Sequence, residues 1–162
     1  MRKVVIADAG PLIAFARLRQ LELLAHVFEQ VLVTEEVLTE CTYRSDFAEA
    51  KPIVDAVQNQ TIQRCTAPPS HFELAVHVDI GEASAIAAAA TWGFGVLMDD
   101  KAGRRMATRF CVPSIGTVGV LVLAKQKKML PEIKPLLDQL TQSGYFLGEH
   151  LIASALAEAG ES

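Results

Sequence analysis

The chain has 162 residues, 51% hydrophobic and 21% charged, with a formal net charge of −4; this excludes a disordered chain, and the length is one domain's worth. The acidic balance argues against a protein that simply coats nucleic acid, although a partner feels the local field and not the sum. The longest apolar stretches, Ala83–Thr91 and Ile115–Ala124, fall short of the ~20 residues that cross a bilayer, and only Val4–Ala7 are apolar before Asp8, so neither a membrane span nor a signal peptide is expected and the expected compartment is the cytoplasm.

Lys3–Asp8 is expected to be a short strand rich in β-branched residues and ending in an acid. Pro11 suits the first turn of a helix, where its missing N–H is not needed, and Leu12, Phe15, Leu18, Leu21 and Leu24 recur at helical spacing. Val31–Val33 is a second strand, followed by Thr34 as the N-cap of a helix running through Glu40. A polar helix is expected over Asp46–Val57, a strand over Thr61–Cys65 and a loop over Ala67–Ser70. Gly81–Trp92, with four consecutive alanines, is the clearest helix; Asp79 and Glu82 form a capping-box pattern at its start, and Gly93 and Gly95 end it. Val96–Met98 reads as a buried strand closing on Asp99 and Asp100, Lys101–Phe110 as a helix and Val112–Ile115 as a strand. Thr117–Lys128, Pro131–Gln142 and Gly148–Ala159 read as helices. With no linker or repeat, residues 1–162 are expected to form one domain, residues ~116–160 being its helical C-terminal part. Strands alternating with helices predict a parallel sheet covered on both faces, with a ligand site beyond the carboxyl ends of the strands.

Acids gather where that site should be. Asp8 and the Asp99-Asp100 pair each end a strand, and carboxylates crowded at one sheet edge repel one another unless a cation offsets them. Hard divalent cations prefer such oxygen ligands. Glu36 and Glu40 share a helix face, and Glu40 is equally suited to an ion pair with Arg44 four residues on. Glu82 is either the third-position partner in the capping box or a site residue. Lys101, Arg104, Arg105 and Arg109 follow the Asp pair, either as a solvated helix face or as a strip that grips phosphate. Lys125, Lys127 and Lys128 sit where they complement a helix dipole. Cys41, Cys65 and Cys111 are odd in number and widely spaced, which suits buried thiols. His26, His71, His77 and His150 lack metal-binding spacing, Trp92 suits the core, and there is no Walker motif, Gly-x-Ser-x-Gly elbow or dinucleotide-binding loop.

The runs Val4-Val5-Ile6-Ala7-Asp8-Ala9-Gly10-Pro11-Leu12-Ile13, Asp79-Ile80-Gly81-Glu82-Ala83-Ser84-Ala85-Ile86-Ala87 and Val96-Leu97-Met98-Asp99-Asp100-Lys101-Ala102-Gly103-Arg104-Arg105 resemble PIN-domain ribonucleases. Pro113–Leu121 and the helical tail resemble the VapC-like toxin branch of that family. The resemblance spans about residues 3 to 160. It implies an α/β/α sandwich around a short parallel sheet and metal-dependent cleavage of RNA phosphodiesters. It also implies Asp8, Glu40, Glu82 and Asp100 as catalytic acids. Asp8 and Asp100 would hold Mg²⁺ or Mn²⁺, with Asp99 as an accessory ligand. Lys101, Arg104 and Arg105 would contact RNA, a small antitoxin would mask the site, and the chain would form a homodimer. One position departs: the family commonly carries Ser or Thr two residues after the first Asp, where this chain has Gly10. That removes a hydroxyl able to hold a metal-bound water or a neighbouring acid, and it motivates a second expectation, a PIN-like module that binds without cutting. Phosphoaspartyl chemistry at Asp8 is a third, disfavoured because Gly10 also stands where such phosphatases carry a second Asp.

Overall fold

A computed structural model describes residues 4–44 and 47–161, with backbone alone for Arg44, Phe47, His71 and Phe72. The expected Arg44–Glu40 ion pair, the start of the polar helix at Asp46, the Lys3 start of the first strand and the side chain of His71 lie outside the described residues. In chain order the elements are β1 (Val4–Ala7), α1 (Ala9–Arg17), α2 (Leu21–Val27), β2 (Gln30–Thr34), α3 (Glu35–Arg44), α4 (Phe47–Gln58), β3 (Gln63–Cys65) and α5 (His71–Leu74). There follow α6 (Ile80–Trp92), β4 (Gly95–Leu97), α7 (Lys101–Arg109), β5 (Ser114–Ile115), α8 (Thr117–Gln126), α9 (Lys134–Gln142) and α10 (Glu149–Glu158).

The strands form one parallel sheet in the order β3-β2-β1-β4-β5. Period-two alternation sorts their side chains onto two faces. Val5, Ala7, Val31, Val33 and Leu97 join a core with apolar residues of α1–α4 and α8–α10. Ile6, Leu32, Val96 and Met98 point the other way, into a second core with α6 and α7. The result is the three-layer α/β/α architecture expected from the sequence. Successive strands step outward from β1 through β2 to β3, and the chain then returns to lay β4 on the other side of β1. The reversal opens a crevice between the carboxyl ends of β1 and β4, the place where ligands bind in such sheets.

Several ends shift by two or three residues, as in the helix expected from Pro131 that starts at Lys134, and two features differ more. The leucine spacing across residues 12–24 does not make one helix: Arg19 takes a left-handed conformation (φ 56°) and the Gln20 N–H turns back to Phe15 O at 2.8 Å, dividing α1 from α2. The short helix α5 follows the Pro68-Pro69 loop where no element was expected; its four residues are too few to leave a periodic signal. The caps agree with the sequence. Thr34 Oγ1 accepts the Val37 N–H at 3.2 Å, Asp79 Oδ1 accepts the Glu82 N–H at 2.8 Å, and Gly93 closes α6 at φ 73°, a left-handed position that glycine adopts without strain. Among the described residues no helix is long and apolar enough to cross a membrane.

Candidate functional site

Asp8 ends β1 with its backbone N–H on Leu97 O of β4 at 2.9 Å, and its side chain is only 5% exposed. It therefore stands at the floor of the crevice, and as the N-cap residue of α1 it faces a helix N-terminus. Across the crevice Asp100 caps α7, its Oδ2 accepting the Gly103 N–H at 2.9 Å; its other oxygen receives no hydrogen bond among the described residues.

Glu82 enters from α6. Alanines 83, 85 and 87–89 of this helix are all buried, and side chains this small let it lie close over the sheet. A buried pair fixes its height: Thr34 Oγ1 meets Ser84 Oγ at 2.7 Å, and Ser84 Oγ donates to Gly81 O at 2.7 Å. The first turn of α6 is thereby tied to the carboxyl end of β2. Glu82, 6% exposed, lies against α7, its Oε2 3.2 Å from where a Cβ on Gly103 would be. Burial pushes its carboxyl up to about 8, Asp8, Asp79 and Asp100 add repulsion in that order, and a hydrogen bond from the Asp79 N–H opposes the rise. The capping box thus forms, and the same Glu82 carboxyl lies near Asp8 and Asp100.

Glu40, half-buried on α3, lies over the first turn of α6, where a Cβ on Gly81 would overlap its Oε1. The lack of a side chain at Gly81 thus makes room for the Glu40 carboxylate, and the lack of one at Gly103 for Met98 and the Glu82 carboxylate. Glu36 shares α3 but faces the end of β3, where burial, then Glu36 and Glu35, push the Cys65 thiol up to about 11. At that value Cys65 is no thiolate nucleophile at neutral pH.

Asp99 differs from an accessory ligand with open oxygens. Its Oδ1 accepts the Thr117 N–H and its Oδ2 the Thr117 hydroxyl, both at 2.7 Å, and Oδ2 also accepts the Tyr145 hydroxyl. Its carboxylate ties the turn after β4 to the N-terminus of α8. Of the basic strip, Lys101 and Arg105 are exposed and have no hydrogen bond or ion pair among the described residues. Arg104 is half-buried and donates through Nη1 to Met98 O at 3.3 Å, so it braces the β4–α7 turn. Sequence reasoning missed Thr117, Tyr145, Gly81 and Gly103 at this site. For the glycines the available signal was their placement in the first turns of α6 and α7, where glycine is a poor helix residue.

A family profile described as PIN domain matches residues 4–161. The chain belongs to the PIN-domain family. PIN domains are in general nucleases that typically use a divalent metal, and membership points to RNA binding. No curated protein and no solved structure matches the chain. The donor chemistry fits a hard cation: Asp8, Glu82 and Asp100 bring carboxyl groups near one another, and burial first, then repulsion from Asp8, Asp79 and Asp100, favours a proton on Glu82. Among the described residues, however, no three such side chains stand close enough to grip an ion as they are placed.

Proposed function

We propose that this PIN domain is a divalent-cation-dependent endoribonuclease, with Mg²⁺ or Mn²⁺, and the toxin of a toxin–antitoxin pair. One observation supports the reading: the buried Asp8 and the Gly103-bound Asp100 follow the two strands that flank the crevice, Glu82 packs on Gly103 near both, and Glu40 lies over the neighbouring Gly81. Asp8 and Asp100 would hold the ion, with Glu40 and Glu82 completing its surroundings. A bound divalent ion supplies a hydroxide-like water and neutralises charge on the phosphate. Asp8 and Asp100 approach from the two strands flanking the crevice, so they fix where a phosphodiester must lie. Glu82, whose carboxyl keeps its proton up to about 8 in the cation-free protein, is suited to take or release a proton there. Lys101 and Arg105 extend from the helix that Asp100 caps and would grip the flanking phosphates. Asp99 supports the site from beneath rather than through an open oxygen. A small antitoxin would cover the crevice, and the chain would pair as a homodimer.

The test is cleavage of an RNA pool by purified protein with and without Mg²⁺, beside Asp100→Asn. Cleavage that needs Mg²⁺ and vanishes in the variant supports the reading; equal residual activity in both identifies a contaminant and removes it. Gly10, together with the lack of a ready-made three-ligand group among the described residues, favours a second reading, a PIN-like module that binds without cutting. Calorimetry showing no cation affinity, with no RNA cleaved, would select it.

A further inference from the structure

Tyr145 lies between α9 and α10, far in sequence from every carboxylate of the crevice, yet its hydroxyl donates to Asp99 Oδ2. The same hydroxyl stands 3.4 Å from where a Cβ on Gly10 would be. Gly10 sits in the first turn of α1, two residues after Asp8. One phenolic oxygen thus bonds Asp99, after β4, and lies at van der Waals distance from where a side chain at residue 10, after β1, would begin. Asp99 in turn holds Thr117 by both backbone and side chain.

We propose that Tyr145 is a positioning residue of the carboxylate crevice, its hydroxyl filling the place into which a hydroxyl-bearing side chain at residue 10 would point and fixing Asp99 relative to Asp8. The inference rests on the nuclease reading for its consequence and on the Gly10–Tyr145–Asp99 contacts for its geometry. An oxygen removed at one end of that contact can then be returned from the other.

The experiment compares the parent, Tyr145→Phe, and Tyr145→Phe combined with Gly10→Ser. It reads Mg²⁺-dependent RNA cleavage, Mn²⁺ binding by calorimetry, thermal midpoint, and amide hydrogen exchange at Thr117. Tyr145→Phe is expected to lower kcat about tenfold with KM unchanged, to weaken Mn²⁺ binding, and to quicken exchange at Thr117 while the thermal midpoint stays close to the parent's. The double variant is expected to recover most of the loss. Single-variant kinetics, Mn²⁺ binding and exchange equal to the parent's would overturn the proposal, as would a double variant no better than the single one. If the parent neither cleaves RNA nor binds Mn²⁺, the nuclease reading fails; exchange at Thr117 in the three proteins then still decides whether Tyr145 holds Asp99.

Discussion

At the scale of single residues, the crevice pairs exposed and buried acids. Asp100 is exposed and keeps an oxygen clear of donors among the described residues, whereas Asp8 is buried. Replacing either by Asn keeps the shape but removes a charge. Supporting partners of a metal site are worth about 10- to 100-fold, so a direct holder should exceed that range. Asp8→Asn and Asp100→Asn are each expected to lower Mg²⁺-dependent cleavage by at least about 100-fold, measured as kcat on a defined RNA. Glu82 gives a pH signature. Its carboxyl binds a proton more tightly in the folded chain, at about 8, than at its ordinary 4.5. Between those values the folded state holds the extra proton, so stability of the cation-free protein falls as pH rises through that window. Denaturant titrations in chelator across the window should show the decline, and Glu82→Gln should flatten it.

At the scale of elements, the helices meet the site through glycine. A Cβ on Gly103 would fall 2.6 Å from the buried Met98 Sδ and 3.2 Å from Glu82 Oε2. Overpacking of this kind costs about 1–3 kcal/mol, and the better helix propensity of alanine returns only about 1 kcal/mol. Gly103→Ala is therefore expected to destabilise modestly in a denaturant titration. It should also weaken cation binding by calorimetry, because the Glu82 carboxylate must give way along with Met98. The elements themselves were largely legible in the sequence. The short apolar runs of β1, β2 and β4, the Thr34 and Asp79 caps and the alanine run of α6 are local signals, and each element keeps its place. The division at Arg19 was not legible, because a left-handed non-glycine residue has no composition mark. Of the proposed site, Asp8 and Asp100 stand out in the sequence as acids that follow apolar strands, whereas Glu40 and Glu82 are favoured only through the family resemblance, because an ion pair and a capping box account for them locally. Asp99 could be placed in the site, but its role could not be read. Its partners Thr117 and Tyr145 lie 18 and 46 residues away, and only the folded topology brings them together.

At the scale of the whole molecule, the C-terminal helices are fastened by one acid. Glu161 accepts Lys125 Nζ at 2.8 Å, the Ile133 N–H at 2.8 Å and the Lys134 N–H at 3.0 Å. Burial alone would raise its carboxyl; the Lys125 hydrogen bond, then those from Ile133 and Lys134, outweigh it and hold it below the ordinary value. A depressed carboxyl stabilises the fold above its unfolded value, near 4.5, and that contribution is lost as pH falls toward the folded one. Glu161→Gln is expected to lower the thermal midpoint at neutral pH and to shrink the acid-side loss of stability, read by thermal scans from neutral to acidic pH. Glu82 and Glu161 thus tilt the stability curve in opposite directions, and the double variant should be flatter than either single one.

Tyr145 also gives the site an order in time. Asp8, Glu40, Glu82 and Asp100 all precede residue 101, while the tyrosine that fastens Asp99 comes 46 residues after it. A chain emerging from the ribosome would display its full set of carboxylates well before the last fastening is made.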